Sequence, residues 1–281
     1  MKVKISLVVV VATLFAAGLA YGDGFNMVSW PLLPHDTSIQ AVFADSMGTG
    51  CQLTGSFFSY YADLVRYYDA STSTWYSAWY NTTIPGWDAT STLTTIEPDK
   101  GYWIQIRGAN PPVTLTMTGA VSETQRVIPV YDSATLTTFN LVGSAFAVPC
   151  SLADAGLVAS GFTGSFFSYY SDKIRHWDGS SWYTAWYNTT TSLWEDNLKT
   201  LEPGKGYWLE VLAGHGFTSD EWIYPVPPDY SKGAKAGLSR QVKAKAHAME
   251  PVTKRTLRSQ GRSSTNLSLD TKRAAENKKT R

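Results

Sequence analysis

The eight residues Thr-Gly-Ser-Phe-Phe-Ser-Tyr-Tyr occur twice in this chain, at positions 54–61 and 163–170, and the same succession of features follows each copy. After each comes an Asp (Asp63, Asp172), a short basic and aromatic run, the string WYxAWYNTT, one more Trp, and a closing EPxKGYW turn. An internal repeat constrains the fold more than any single motif, because both copies have to solve the same packing problem.

What each copy solves is a β problem. Eleven Trp, sixteen Tyr and eleven Phe supply much of the apolar content, and aromatic residues favour strands and bury large areas. The expectation is an all-β fold with minor short helices: two tandem β-sandwich-like modules at residues 23–125 and 126–230. Residues 56–61 and 165–170 read as strands with bulky groups on both faces. Residues 64–68 and 173–177 follow, with Val65 and Tyr67 (Ile174 and His176) on one face and Arg66 and Tyr68 (Arg175 and Trp177) on the other. They pair through hairpins with 75–80 and 182–187; Asp178-Gly179 is a strong hairpin signal, and the first module's loop is two residues longer. Pro203-Gly204 suits a type II turn, whereas Pro98-Asp99 suits type I. A short helix is expected after residue 38, capped by Asp36, Thr37 or Ser38, with a counterpart at 151–157 capped by Ser151. Further strands are expected at 113–118, 126–131 and 221–224.

The ends differ in kind from this body. Residues 1–22 read as a signal peptide, with Lys2 and Lys4 before an apolar run and small residues at a cleavage position; the rival reading is an N-terminal anchor helix. No later stretch is apolar enough to span a membrane as a helix. Between residues 23 and 230 there are 8 Lys+Arg against 20 Asp+Glu, a balance of −12; residues 231–281 hold 14 against 3, a balance of +11. This basic, aromatic-free tail reads as disordered. It suits a polyanion, a fold back onto the acidic body, or a solvated spacer. Secretion makes an acidic envelope polysaccharide the natural polyanion, and no nucleic-acid partner is expected. Cys51 and Cys150 do not correspond in the two repeats, so a disulfide would have to join modules; two free thiols are the alternative.

The motifs Phe-Asn-[Met/Leu]-Val (residues 25–28 and 139–142), the Trp…Tyr hairpin and the closing Glu-Pro-Gly-Lys-Gly-Tyr-Trp (202–208) resemble an uncharacterised β-rich repeat of secreted and surface proteins of environmental bacteria. The first module departs from it at Asp99. The resemblance spans about residues 24–224, and it implies an accessory or display module without catalytic residues.

Catalytic chemistry is not indicated. The duplicated carboxylates Asp63/Asp172, Asp88/Glu195 and Glu97/Glu202 read as turn and strand-end acids repeated with the module, since one active site would not need both copies. His35, His176, His215 and His247 lack metal-ligand spacing, and no metal or cofactor is expected. Asn81-Thr82-Thr83 and Asn188-Thr189-Thr190 match a glycosylation sequon but belong to the repeat, which points to turn chemistry. The informative set is aromatic. Each ring-bearing strand has two apolar faces, and only one points into its own core. The other is buried too, stacks on a sugar, or meets a protein. The candidate ligand-binding residues are Trp79, Tyr80, Trp186, Tyr187, Arg66 and Arg175. The functional expectation is a secreted, non-enzymatic adhesion or envelope-contact protein, with a polysaccharide or another surface protein as partner; the alternative is a carbohydrate-binding module pair.

Overall fold

The computed structural model describes residues 24–43, 53–107, 115, 117, 119–228 and 230. The leader at 1–22, Cys51, most of the strand expected at 113–118 and the basic tail lie outside the described residues. In the first repeat, strands β1 (Gly24–Ser29), β2 (Leu64–Asp69), β3 (Thr74–Ala78) and β6 (Gly101–Ile106) form one antiparallel sheet in the order β1-β6-β2-β3. Two short strands, β4 (Tyr80–Asn81) and β5 (Gly86–Trp87), pair beside it. The helix α1 (Ile39–Val42) is one turn long; Ser38 Oγ caps it by accepting from the Ala41 N–H at 3.2 Å, and Ile39 and Phe43 are buried.

The second repeat follows the same plan. Strands β8 (Thr138–Gly143), β10 (Lys173–Trp177), β11 (Trp182–Asn188), β12 (Leu193–Glu195) and β14 (Gly206–Val211) make a sheet in the order β12-β11-β10-β14-β8. Register agrees as well as order. Val65 faces Ala78 and Ile104 in the first sheet, and Ile174 faces Ala185 and Leu209 in the second. Strand β7 (Arg126–Pro129) pairs with β15 (Glu221–Tyr224), and β9 (Cys150–Ser151) with β13 (Thr200–Leu201), to cover the second core. At residues 151–157 the Ser151 cap is present, bonding the Asp154 N–H, but a turn replaces the expected helix.

Each repeat has its own core. Val28, Trp30, Phe43, Val65, Ala78, Tyr102 and Ile104 pack in the first; Val142, Phe146, Ile174, Ala185, Tyr207, Leu209, Trp222 and Tyr224 pack in the second. The all-β class is as expected from the sequence. Alternation along the strands sends Val65 and Tyr67, or Ile174 and His176, inward and leaves Arg66, Tyr68, Arg175 and Trp177 on the outer face. His176 is buried, with Nδ1 2.9 Å from the Gly206 carbonyl. Cys150 carries a free, buried thiol that burial pushes up to about 11.

The outer faces meet each other. Trp208 lies 6.1 Å from Trp75 and 5.6 Å from Tyr68 between ring centroids, and Trp103 lies 6.1 Å from Trp182. The Trp177 N–H donates to Met27 Sδ at 3.3 Å. Backbone contacts at the corners are reciprocal. The Ser29 N–H donates to the Gly204 carbonyl at 2.9 Å, and Gly143, the counterpart of Ser29, donates to the Asp99 carbonyl at 2.7 Å. Val28 bridges Lys205 while Val142 bridges Lys100. Contacts that swap in this way define an isologous, two-fold type of interface, here within one chain.

One turn departs from its sequence reading. Asp99 has φ +72°, as Gly204 has φ +80°, so both modules use the left-handed conformation and Pro98-Asp99 is not a type I turn. Asp tolerates this region better than most residues. Two contacts hold it: Arg126 Nε and Nη2 bond Asp99 Oδ2, and the Asp99 carbonyl takes the Gly143 N–H. Burial raises the Asp99 carboxyl from its ordinary value, against the opposing pull of Arg126.

A Cβ on Gly206 would sit 2.6 Å from the Val28 carbonyl oxygen, and one on Gly101 would sit 2.5 Å from that of Val142. Gly206→Ala is therefore expected to lower unfolding stability by roughly 1–3 kcal/mol. Urea denaturation checks it; an unchanged midpoint would mean that this close approach is not needed.

Candidate functional site

The duplicated octapeptide carries eight exposed large rings. Phe57, Phe58, Tyr60 and Tyr61 are 48–63% exposed, and Phe166, Phe167, Tyr169 and Tyr170 are 48–60% exposed. Neither stretch is a strand, contrary to the sequence reading; both are tight loops, the second ending in a 3-10 turn at Ser168–Tyr170. Local side chains take the backbone groups a partner strand would have used. The Phe58 N–H donates to Ser56 Oγ at 3.3 Å and the Tyr61 N–H to the Phe58 carbonyl at 3.1 Å; Phe167 with Ser165, and Tyr170 with Phe167, repeat this at 3.4 and 3.1 Å. Such Ser turns compete with sheet pairing.

The rings adopt one arrangement twice. Phe57 meets Phe58 at 4.5 Å, Phe58 stacks on Tyr60 at 5.3 Å, and Tyr60 meets Tyr61 at 4.2 Å. The second loop gives 4.4, 5.4 and 4.2 Å for the same pairs. Side chains this exposed gain little from their own fold, and two matched copies of one cluster make these loops the candidate site.

A buried acid closes each loop at its base. Asp63 Oδ2 accepts the Thr54 N–H at 2.6 Å and Oδ1 the Arg107 N–H at 2.7 Å, while the Asp63 N–H returns to the Thr54 carbonyl. Asp172 repeats the clasp with Thr163 at 2.8 Å and Leu212 at 2.9 Å, and its Oδ1 lies 2.7 Å from His215 Nδ1. Register places the loops. They adjoin the start of β2 or β10 and the end of β6 or β14, whereas the module contact engages Ser29, Gly101 and their counterparts at the other ends of those strands.

The remaining duplicated acids also hold turns. Asp88 Oδ2 accepts from Asn81 Nδ2 at 2.7 Å, and bonds from Thr90 and Asn81 keep Asp88 below the usual carboxylate range. Asn81 and Asn188 cap their own turns through Oδ1, bonding the N–H groups of Thr83 and Thr190 at 2.9 Å, the turn chemistry expected of the sequon motif. Glu97 and Glu202 pair with Lys100 at 2.9 Å and Lys205 at 2.7 Å.

The six residues singled out from the sequence divide between two faces. Trp79, Trp186, Arg66 and Arg175 lie on the outer faces, all half-buried. Tyr80 and Tyr187 turn the other way: Tyr80 meets Trp87 at 6.4 Å, and Tyr187 meets Trp194 at 5.7 Å beside the second core. Tyr187 and Trp194 line a cleft of about 570 Å³ with Leu152, Leu157 and Lys199. The loop rings were missed as site residues, although the signal was present: the longest identical string shared by the repeats has paired Phe-Phe and Tyr-Tyr, which no one-sided strand requires. Among the described residues no group of three side chains could hold a metal ion, and no helix is long and apolar enough to cross a membrane. No protein-family model, curated protein or solved structure matches the chain.

Two outcomes follow from these placements. Asp172→Ala strips the Thr163 and Leu212 N–H groups of their acceptor. It should cost about 2–4 kcal/mol and speed chymotrypsin cleavage within residues 166–170; unchanged cleavage and melting would remove Asp172 from this role. For His176, burial lowers the ring's pKa, so the unfolded chain takes up a proton near pH 6.5 that the fold resists, and stability falls as pH drops below that value. His176→Phe should lessen this acid loss, read as the change in melting temperature between pH 7.5 and 5.5. An identical pH profile would mean that the ring protonates freely in place.

Proposed function

We propose that this chain is a secreted, non-catalytic adhesion or envelope-contact protein that touches its target through the two aromatic loops. The observation that carries the reading is the pair of matched, exposed clusters on matched pedestals, each clasped by a buried Asp and set at the sheet end remote from the module contact. Two identical contacts on one body raise effective affinity for a repetitive surface without any new interaction. The duplicated carboxylates serve the fold, which supports a role in contact rather than turnover. The apolar N-terminal segment at 1–22 supports export, and the +11 balance of residues 231–281 suits an anionic envelope polymer.

A second reading, a carbohydrate-binding module pair, draws on a different face: Trp79 and Trp186 share the outer sheet faces with Arg66 and Arg175, so ring stacking and charged hydrogen bonds are available together.

Binding of the full-length protein to isolated cell-envelope fractions tests the first reading. Substituting Phe57, Phe58, Tyr60 and Tyr61 by Ser is expected to weaken retention at least tenfold, and substituting both loops to abolish it, with melting unchanged. Full retention by a folded double-loop variant would overturn the proposal.

A further inference from the structure

The duplicated outer faces differ at one place. In the second sheet, Arg175 Nη2 lies 2.6 Å from Glu210 Oε2, and Lys173 Nζ lies 3.6 Å from Glu210 Oε1. By register the corresponding residues of the first sheet are Arg66, Gln105 and Leu64: Leu64 faces Gln105 as Lys173 faces Glu210, and Arg66 faces Trp103 as Arg175 faces Trp208. The acid of the second module is thus an amide in the first. Gln105 Oε1 is committed to another cation, accepting from Arg107 Nη2 at 3.1 Å. Arg66 has no carboxylate partner among the described residues.

Its surroundings add to the imbalance. Arg66 is half-buried, and its charged form is disfavoured first by burial and then by the nearby Arg107. Arg66 Nε and Trp79 Nε1 are both shut off from solvent without a hydrogen-bond partner among the described residues; Arg175 Nε shares that state beside Glu210, so the modules differ at the terminal guanidinium nitrogens, where Glu210 meets Arg175 Nη2. A desolvated guanidinium is stabilised chiefly by a carboxylate, which it binds in bidentate fashion. The indole of Trp79 stands on the same face as Arg66, so a ring carrying that carboxylate has an aromatic surface to lie against, whereas Trp103 on that face is engaged by Trp182 of the second module.

We propose that the outer face of the first module is a binding site for a uronic-acid saccharide, with Arg66 holding the sugar carboxylate where the second module uses its own Glu210, and with Trp79 flanking the ring. An extended acidic peptide suits the place less well. Arg66 lies within β2, hydrogen-bonded on one side to β3 and on the other to β6, so no main-chain edge is available to pair with a peptide. The site is separate from the aromatic loops, and its success or failure leaves the loop contact untouched.

Calorimetric titration of the full-length protein with an oligogalacturonate, with its methyl-esterified form, and with a poly-glutamate peptide of equal charge tests the assignment. The acidic oligomer is expected to bind at one site and the uncharged ester at least tenfold more weakly. Gln105→Glu, which gives the first module the acid of the second, is expected to weaken binding at least tenfold; Arg66→Leu should do the same. Glu210→Gln should create a second site. Absence of oligogalacturonate binding, equal binding of the ester, or binding that survives Gln105→Glu in a folded protein would each overturn the proposal. Tighter binding of poly-glutamate would replace the saccharide by a protein carboxylate as the occupant.

Discussion

A sheet with large rings on both faces has to be covered twice, and that requirement organises the whole molecule. Each module hides one face of its sheet beneath its own loops and short strands. The other face carries Trp75, Trp103 and Tyr68 in the first module and Trp182, Trp208 and Trp177 in the second; the two sheets lie against each other there, with Tyr68, Trp103, Trp177 and Trp208 half-buried and Trp75 and Trp182 still 49% and 45% exposed. Burial of a large apolar side chain stabilises by roughly 1.5–3 kcal/mol, so this contact belongs to the structural core more than to a linker arrangement. Its geometry is demanding. Backbone carbonyls approach so closely that Gly101, Gly143 and Gly206 have no room for a Cβ.

The reciprocal contacts explain features of the repeat that either module alone would leave obscure. The EPxKGYW turn closes its own module, through the Glu97 N–H on Tyr102 Oη at 2.7 Å and the Glu202 N–H on Tyr207 Oη at 2.6 Å. The same turn reaches the edge strand of the neighbour. The left-handed residue at its tip then has to keep one conformation in both copies, and Asp99 does so with the help of Arg126. A residue other than glycine is held at this tip because a side chain from the module boundary supports it.

Much of the architecture was legible in the sequence. Period-two alternation identified β2, β3, β10 and β11 and divided their residues between two faces without saying which is inward, and the matched Asn-Thr-Thr and Glu-Pro strings identified the turns. What misled was the octapeptide. Phe-Phe and Tyr-Tyr raise strand propensity, but propensity ignores the Ser hydroxyls and the distant Asp that satisfy the loop backbone; the bonds from Asp63 to Arg107 and from Asp172 to Leu212 span 44 and 40 residues and have no local signature. Choosing Trp79 and Tyr80 together as platforms left their opposite faces undivided, and periodicity could not show that the neighbouring module would occupy part of the outer face.

The two repeats have been held to one backbone while their surfaces diverged unequally, and the inequality separates structural from functional demand. Many positions that clasp, turn or touch the other module keep their chemistry, among them Asp63 and Asp172, Trp103 and Trp208, Gly101 and Gly206, while Ser29 and Gly143, and Asp99 and Gly204, make matched backbone contacts with different side chains. The loop rings keep theirs too, although they contribute little to either core, so a demand outside the fold is the simpler reason for their identity. Arg66 and Arg175 persist while the residues beside them change from Leu64 and Gln105 to Lys173 and Glu210. A half-buried cation with no acid beside it is unfavourable for the isolated protein. The ligand carboxylate proposed for this face would supply to Arg66 what Glu210 supplies to Arg175 in the second module.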